Sequence, residues 1–229
     1  MITYTMTKDE LYKEIAADTM WLDSLKGGIA IKYRKQLNPK TAKEGYALLG
    51  ITHYVSPRKN KIMVAWVRVT AGKYVTLNSV HYFEYVTKLG TIQYINPCYL
   101  SGYSINQIVV YSGHALQRLR ERAGFNLEEK VRYEINNECY CTHYSDKYIY
   151  KGEEHEMFNY ADKGMFITIP HEWGIIATTF VNYELLGKDQ CKTIHACIEK
   201  VKQYKEYKRD KLIDEASTLP RYMRKSVLI

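Results

Sequence analysis

Nowhere does the chain run to the roughly 20 consecutive apolar residues that a membrane-spanning helix requires. Its first dozen residues, Met1–Tyr12, carry Lys8, Asp9 and Glu10 and have no apolar leader core, so the expectation is a cytoplasmic protein with no membrane partner. Cysteine is sparse and odd in number: Cys98, Cys139, Cys141, Cys191 and Cys197, with no C-x-x-C pair. In a chain without a secretion leader, that argues against a disulfide framework. Internal repeats and low-complexity tracts are missing. Acid is also in short supply, with 25 Asp and Glu against 33 Lys and Arg, a formal net charge of +8. That balance favours a polyanionic partner such as RNA or DNA without identifying one.

An apolar fraction of 46% over 229 residues is enough for a real core and excludes wholesale disorder. The positive charge is clustered. From Ile31 to Lys61, eight Lys or Arg residues face one acid, Glu44. Lys32, Arg34, Lys35, Arg58 and Lys59 of this run are the candidate nucleic-acid contacts, because lysine and arginine that track phosphates supply most of non-specific affinity. The alternative is a solvated surface that keeps the protein soluble. The 22 tyrosines are spread along the whole chain and read as mostly structural.

Prolines 39, 57, 97, 170 and 220 fall where the pattern changes. Thr7-Lys8-Asp9-Glu10 has the form of a capping box. Leu11, Ile15, Leu22 and Leu25 continue it as a helix that Gly27-Gly28 should stop, and a basic connector follows. Lys61–Thr70 reads as a strand, with Tyr74–Leu77 pairing back across Ala71-Gly72. Asn78–Leu89 suits either a helix or a strand, and Thr91–Ile95 a strand ending at Asn96-Pro97. After Ile108–Tyr111 come a helix over Ser112–Ala123 and another over Leu127–Asn136, opened by Asn126. Three strands follow, at Lys147–Tyr150, Met165–Ile169 and Gly174–Val181, and a long helix spans about 189–215. The order predicts an α+β fold: helices packed on an antiparallel sheet, an additional N-terminal α/β region over 1–100, a central domain over 101–187, and a basic C-terminal helix and tail over 188–229, with one compact unit as the alternative.

The helix from Ser112 carries the most chemistry. Ser112 suits the N-cap and Gly124 the residue past the C-terminus. Ala115, Leu116, Leu119 and Ala123 make an apolar face, while His114, Gln117, Arg118, Glu121 and Arg122 make the polar one. His114 and Arg118 are one turn apart, as are Arg118 and Arg122. An imidazole in the first turn followed by guanidiniums suits a phosphoryl group. An ordinary solvated helix face is the plainer reading.

The string Tyr111-Ser-Gly-His-Ala-Leu-Gln-Arg-Leu-Arg-Glu-Arg122 resembles the H-A-x-x-R-x-x-E-R helix of a toxin-like family related to BrnT, within the barnase/RelE-like ribonuclease group. Phe166–Ile169 and Gly174–Phe180 stand in the order of that family's following strands. The resemblance spans roughly residues 109–186. It implies metal-independent RNA cleavage without a cofactor, with RNA as partner and a protein inhibitor or antitoxin as a second one. His114 would be base or acid, and Arg118 and Arg122 would hold the phosphate. Glu121 would orient an arginine or act as the base, and Thr178 or Thr179 would donate to a phosphate oxygen. Strand alternation lets only one of these two threonines face the helix. His171 and Glu172 are weaker candidates for a second proton-transfer group. A zinc site from Cys139, Cys141, Cys191 and His195, with His143 and Cys197 nearby, is a minor alternative. Two further functions stay open: a non-catalytic nucleic-acid-binding protein, and a phage or mobile-element structural or interaction protein whose toxin-like site is retired.

Overall fold

Helix α1 (Lys8–Ser24) and the short α2 (Lys26–Lys32) precede five strands: β1 (Gly45–Val55), β2 (Lys61–Ala71), β3 (Tyr74–Val86), β4 (Ile92–Ser101) and β5 (Ser104–Tyr111). Helices α3 (Gly113–Ala123) and α4 (Leu127–Asn136) follow, and then β6 (Ser145–Tyr150), β7 (Glu153–Tyr160), β8 (Gly164–His171) and β9 (Gly174–Asn182). These elements come from a computed structural model that describes residues 1–101, 104–136, 145–150, 153–160 and 163–185. The strands form one nine-stranded sheet, ordered β1-β2-β3-β4-β5-β9-β8-β7-β6. Two antiparallel meanders, β1 to β5 and β6 to β9, meet at a single parallel pairing of β5 with β9. The architecture is therefore α+β, with helices on a largely antiparallel sheet, as the element order predicts. Residue 100 falls inside β4, and the sheet continues across it.

Local chemistry set the helix ends. The Thr7 hydroxyl accepts from the Glu10 amide while the Glu10 carboxylate accepts from the Thr7 amide, a complete capping box. Asn126 and Glu129 reciprocate in the same way at the start of α4. The helix stop differs from expectation. α1 ends at Ser24, and Gly27-Gly28 lies inside α2.

Three strand assignments need correction. The supposed basic connector contains β1, whose alternation is broken in the sequence by a bulge. Leu48 pairs with Val67 and Gly50 with Trp66, leaving Leu49 as the extra residue. Leu48 and Ile51 consequently pack on one side of the sheet and Leu49 and Tyr54 on the other. Strand β7 lies in a segment read as a connection. β4 runs through Pro97, because β3 pairs with β4 only as far as Ile95. Past Ile95 the strand pairs with β5 alone, Pro97 standing opposite Ile108, so a residue without an N–H is tolerated on the side where β3 has stopped pairing; there the Asn96 side-chain amide donates to the His81 carbonyl. The ambiguous stretch from Asn78 is a strand as far as Val86.

Two apolar layers lie on opposite faces of the sheet. Ile2 and α1 residues Leu11, Ile15 and Leu22 cover Ile62, Val64, Trp66, Phe83, Ile95, Val110 and Trp173. Ala115 and Leu119 of α3 and Val131 and Ile135 of α4 cover Ala65, Val67, Tyr82, Val109, Tyr111, Phe166, Ala177 and Phe180. On this second face the sheet is concave, since side chains from β1, β3, β5 and β8 all reach α4. His53 bonds Glu128 at 2.8 Å. The fully buried Lys130 ammonium lies 5.8 Å from the ring centre of Tyr82, 4.9 Å from that of Tyr111 and 5.8 Å from that of Phe166. Glu134, one turn on, binds it at 2.7 Å.

Candidate functional site

Both ends of α3 are stapled to β9. At the start, the Ser112 hydroxyl accepts from the Ala115 amide at 3.1 Å, and the Ser112 amide donates to the Ala177 carbonyl. At the end, Gly124 takes the left-handed conformation (φ 75°) that closes the helix, and Arg122 Nη1 donates to the Phe180 carbonyl. Ala115 and Leu119 are fully buried, so the polar face points outward as expected. His114 is exposed in the first turn and makes no hydrogen bond to the described residues.

Arg118 lies over Glu121 at 2.6 Å, and Gln117 donates to the same carboxylate at 2.8 Å. Hydrogen bonds from Gln117 and then Arg118 hold the Glu121 carboxyl below its ordinary range. It stays ionised, makes a weak base, and sets the direction of the Arg118 guanidinium. His114, Arg118 and Glu121 thus share one exposed strip. Arg122 starts on that strip, but its guanidinium is turned to the strand.

The threonines have other tasks. Ala177 pairs with Thr168 and Thr179 with Ile167, so Thr178 is the extra residue of a bulge. Its hydroxyl donates to the Ile167 carbonyl at 3.1 Å. Phe180 packs under α3, so its neighbour Thr179 points to the opposite face. His171 and Glu172 sit at the far tip of the β8–β9 hairpin, on the α1 side. There His171 packs against Trp173 and accepts from its amide at 3.2 Å, and burial lowers the His171 pKa. Neither residue is brought to His114.

Lys32 ends α2, and Arg34 and Lys35 follow it, on the α1 side where Ile29 and Leu37 pack. Lys32 rests on the Tyr33 ring at 5.1 Å. Arg58, in the β1–β2 turn, pairs with Glu14 of α1 at 3.0 Å, next to an exposed Lys59. This basic group is therefore on the face opposite α3. Cys139, Cys141, His143, Cys191, His195 and Cys197 lie outside the described residues, as does the expected helix over 189–215. Among the described residues no group of three or more His, Cys, Asp or Glu is placed to hold a metal ion, and no helix is long and apolar enough to cross a membrane.

A second feature of the α3–α4 face has no sequence motif, because it is assembled from four strands. A shallow pocket of about 150 Å³ is lined by His53, Tyr54, Val55, Lys61, Ile62, Met63, Glu84 and Tyr94. Comparison with protein-family models, with curated proteins and with solved structures gives no match for this chain.

Proposed function

We propose that the chain is an RNA-directed, toxin-like endoribonuclease whose working surface is the exposed strip of α3. The observation that carries this reading is an open imidazole, His114, one helical turn from a guanidinium, Arg118, whose direction is set by Glu121. In the reaction, the ribose 2′-oxygen attacks the adjacent phosphorus, a bond to the 5′-oxygen breaks, and a cyclic phosphate results. His114 accepts the 2′-hydroxyl proton, Arg118 stabilises the charge that builds on the phosphoryl oxygens, and solvent protonates the leaving 5′-oxygen at this open face. Glu121 is a positioning residue, and Arg122 serves by fixing α3 to β9. No metal ion enters this scheme.

A non-catalytic RNA-binding protein is the second reading. It is favoured by the fact that the strip offers one imidazole and no second proton-transfer side chain, since Glu121 is held as the ionised partner of Arg118. Purified protein incubated with total RNA in EDTA separates the two. Cleavage that falls by about 100-fold or more in both His114→Ala and Arg118→Ala supports the enzyme. Binding without cleavage by the wild type, with affinity falling steeply as salt rises, supports the second reading. A protein that neither binds nor cleaves rejects both.

A further inference from the structure

The pocket on the α3–α4 face has the makings of a recognition site. Its floor holds the buried, apolar side chain of Met63. Around it stand a cation, an anion, a phenol and an imidazole. Lys61 Nζ and Glu84 Oε1 pair at 2.9 Å. The Tyr94 hydroxyl makes no hydrogen bond to the described residues, and burial and the neighbouring Glu84 raise its pKa, so it stays a neutral donor. His53 is held through Nε2 by Glu128 of α4, with its ring 65% exposed. Cross-strand pairing builds the cluster: Lys61 is opposite Glu84, and Glu84 is opposite Tyr94.

The start of α3 lies beside β4, the strand that brings Tyr94 to the pocket. A Cβ placed on Gly113 would lie 3.4 Å from the Ile92 carbonyl. Ile92 is two residues from Tyr94 on β4, and Gly113 directly precedes His114. A single strand laid over the first turn of α3 would therefore present its neighbouring residues toward the pocket.

We propose that this pocket is a subsite for one unstacked base of single-stranded RNA, and that it prefers bases bearing an amino group over uracil. The inference rests on the RNA-directed reading of α3. An exposed, tethered aromatic ring such as His53 offers a stacking surface. Glu84 accepts from an exocyclic amine, and Lys61 donates to the ring acceptor or carbonyl beside it. Adenine, cytosine and guanine each carry such an adjacent donor and acceptor. Uracil presents an imide N–H flanked by two carbonyls, so the second carboxylate oxygen would face an oxygen. Tyr94 adds a neutral donor.

The test uses the full chain and fluorescent 12-mers of oligo(A), oligo(C) and oligo(U), with 5′-AMP and 5′-UMP titrated separately by NMR. Wild type should bind oligo(A) and oligo(C) roughly tenfold more tightly than oligo(U). Glu84→Gln and Lys61→Ala, both at non-core side chains, should erase that difference while Arg118→Ala weakens all three oligomers alike. AMP should shift the Tyr94 and His53 resonances in the wild type, and UMP should not. Equal affinity for the three oligomers, or preference unchanged in Glu84→Gln, overturns the subsite while leaving the α3 reading in place. Loss of binding to every oligomer in the wild type overturns the α3 reading, and AMP shifts at Tyr94 would then still report the pocket by itself.

Discussion

His81 and Lys130 are ionisable residues that the fold buries. His81 sits under the α1–α2 junction with its Nε2 2.8 Å from the Ser79 hydroxyl. Burial is the main reason its pKa falls from 6.5 to about 4, with Asp23 opposing and Lys26 assisting. A folded-state pKa below the unfolded one means that the unfolded chain takes up the proton first. This contribution to stability is therefore complete above pH 6.5 and is lost as the pH falls toward 4. The loss from this one residue should reach roughly 3 kcal/mol. Urea unfolding of wild type and His81→Gln across that pH range checks it: wild type should lose stability relative to the variant as the pH falls, and parallel curves would reject it. Lys130 has the opposite solution to burial, since it keeps a partner. Glu134→Ala would leave an ammonium among rings without its carboxylate and should cost about 3–5 kcal/mol. A Lys130→Met/Glu134→Leu double variant should return to within about 2 kcal/mol of wild type. A double variant as unstable as the single one would show that the rings need the cation.

At the scale of elements, the joint between the two meanders is the critical one. β5 and β9 are held by the one parallel pairing in the described sheet, and it is short, from Val109 opposite Ile175 to Tyr111 opposite Ala177. Gly174 opens β9 at φ 157°, and a Cβ there would collide with the Ile108 carbonyl oxygen. A backbone atom cannot swing aside, so the strands themselves would have to separate. Gly174→Ala should lower stability by about 1–3 kcal/mol or more, read as a drop in thermal midpoint, and an unchanged midpoint would show that the joint yields freely. The same joint carries α3, whose staples all go to β9, so its disturbance reaches the His114 strip without touching it.

Across elements, legibility followed the range of the forces involved. The caps of α1, α3 and α4 were readable because Thr7 with Glu10, Ser112 with Ala115, and Asn126 with Glu129 are three residues apart. Strands β2, β8 and β9 were readable too, from their runs of apolar and β-branched residues, although the Thr178 bulge in β9 was not. β1 was not, because the extra residue Leu49 shifts its alternation halfway along, and the bulge exists only against β2. Pro97 misled for a related reason: whether a proline ends a strand depends on whether a neighbour needs its N–H, and β3 has already stopped pairing there.

For the whole molecule, the sheet separates two surfaces. The α1 side carries the basic residues Lys32, Arg34, Lys35 and Arg58, and the concave side carries α3, α4 and the pocket. Composition showed the positive charge but not that its densest run and the His114 helix face opposite ways. By itself the sequence determined the α+β class, helices α1, α3 and α4 with their N-caps, and the polar strip of His114, Arg118 and Glu121, because these depend on contacts within a turn or two of chain. Only the tertiary structure decided that Arg122 and Thr178 serve the frame, that Thr179 points away, and that His53, Lys61, Glu84 and Tyr94 meet. Those outcomes rest on register, bulges and sheet curvature, which arise when strands distant in sequence pair and bury their faces together.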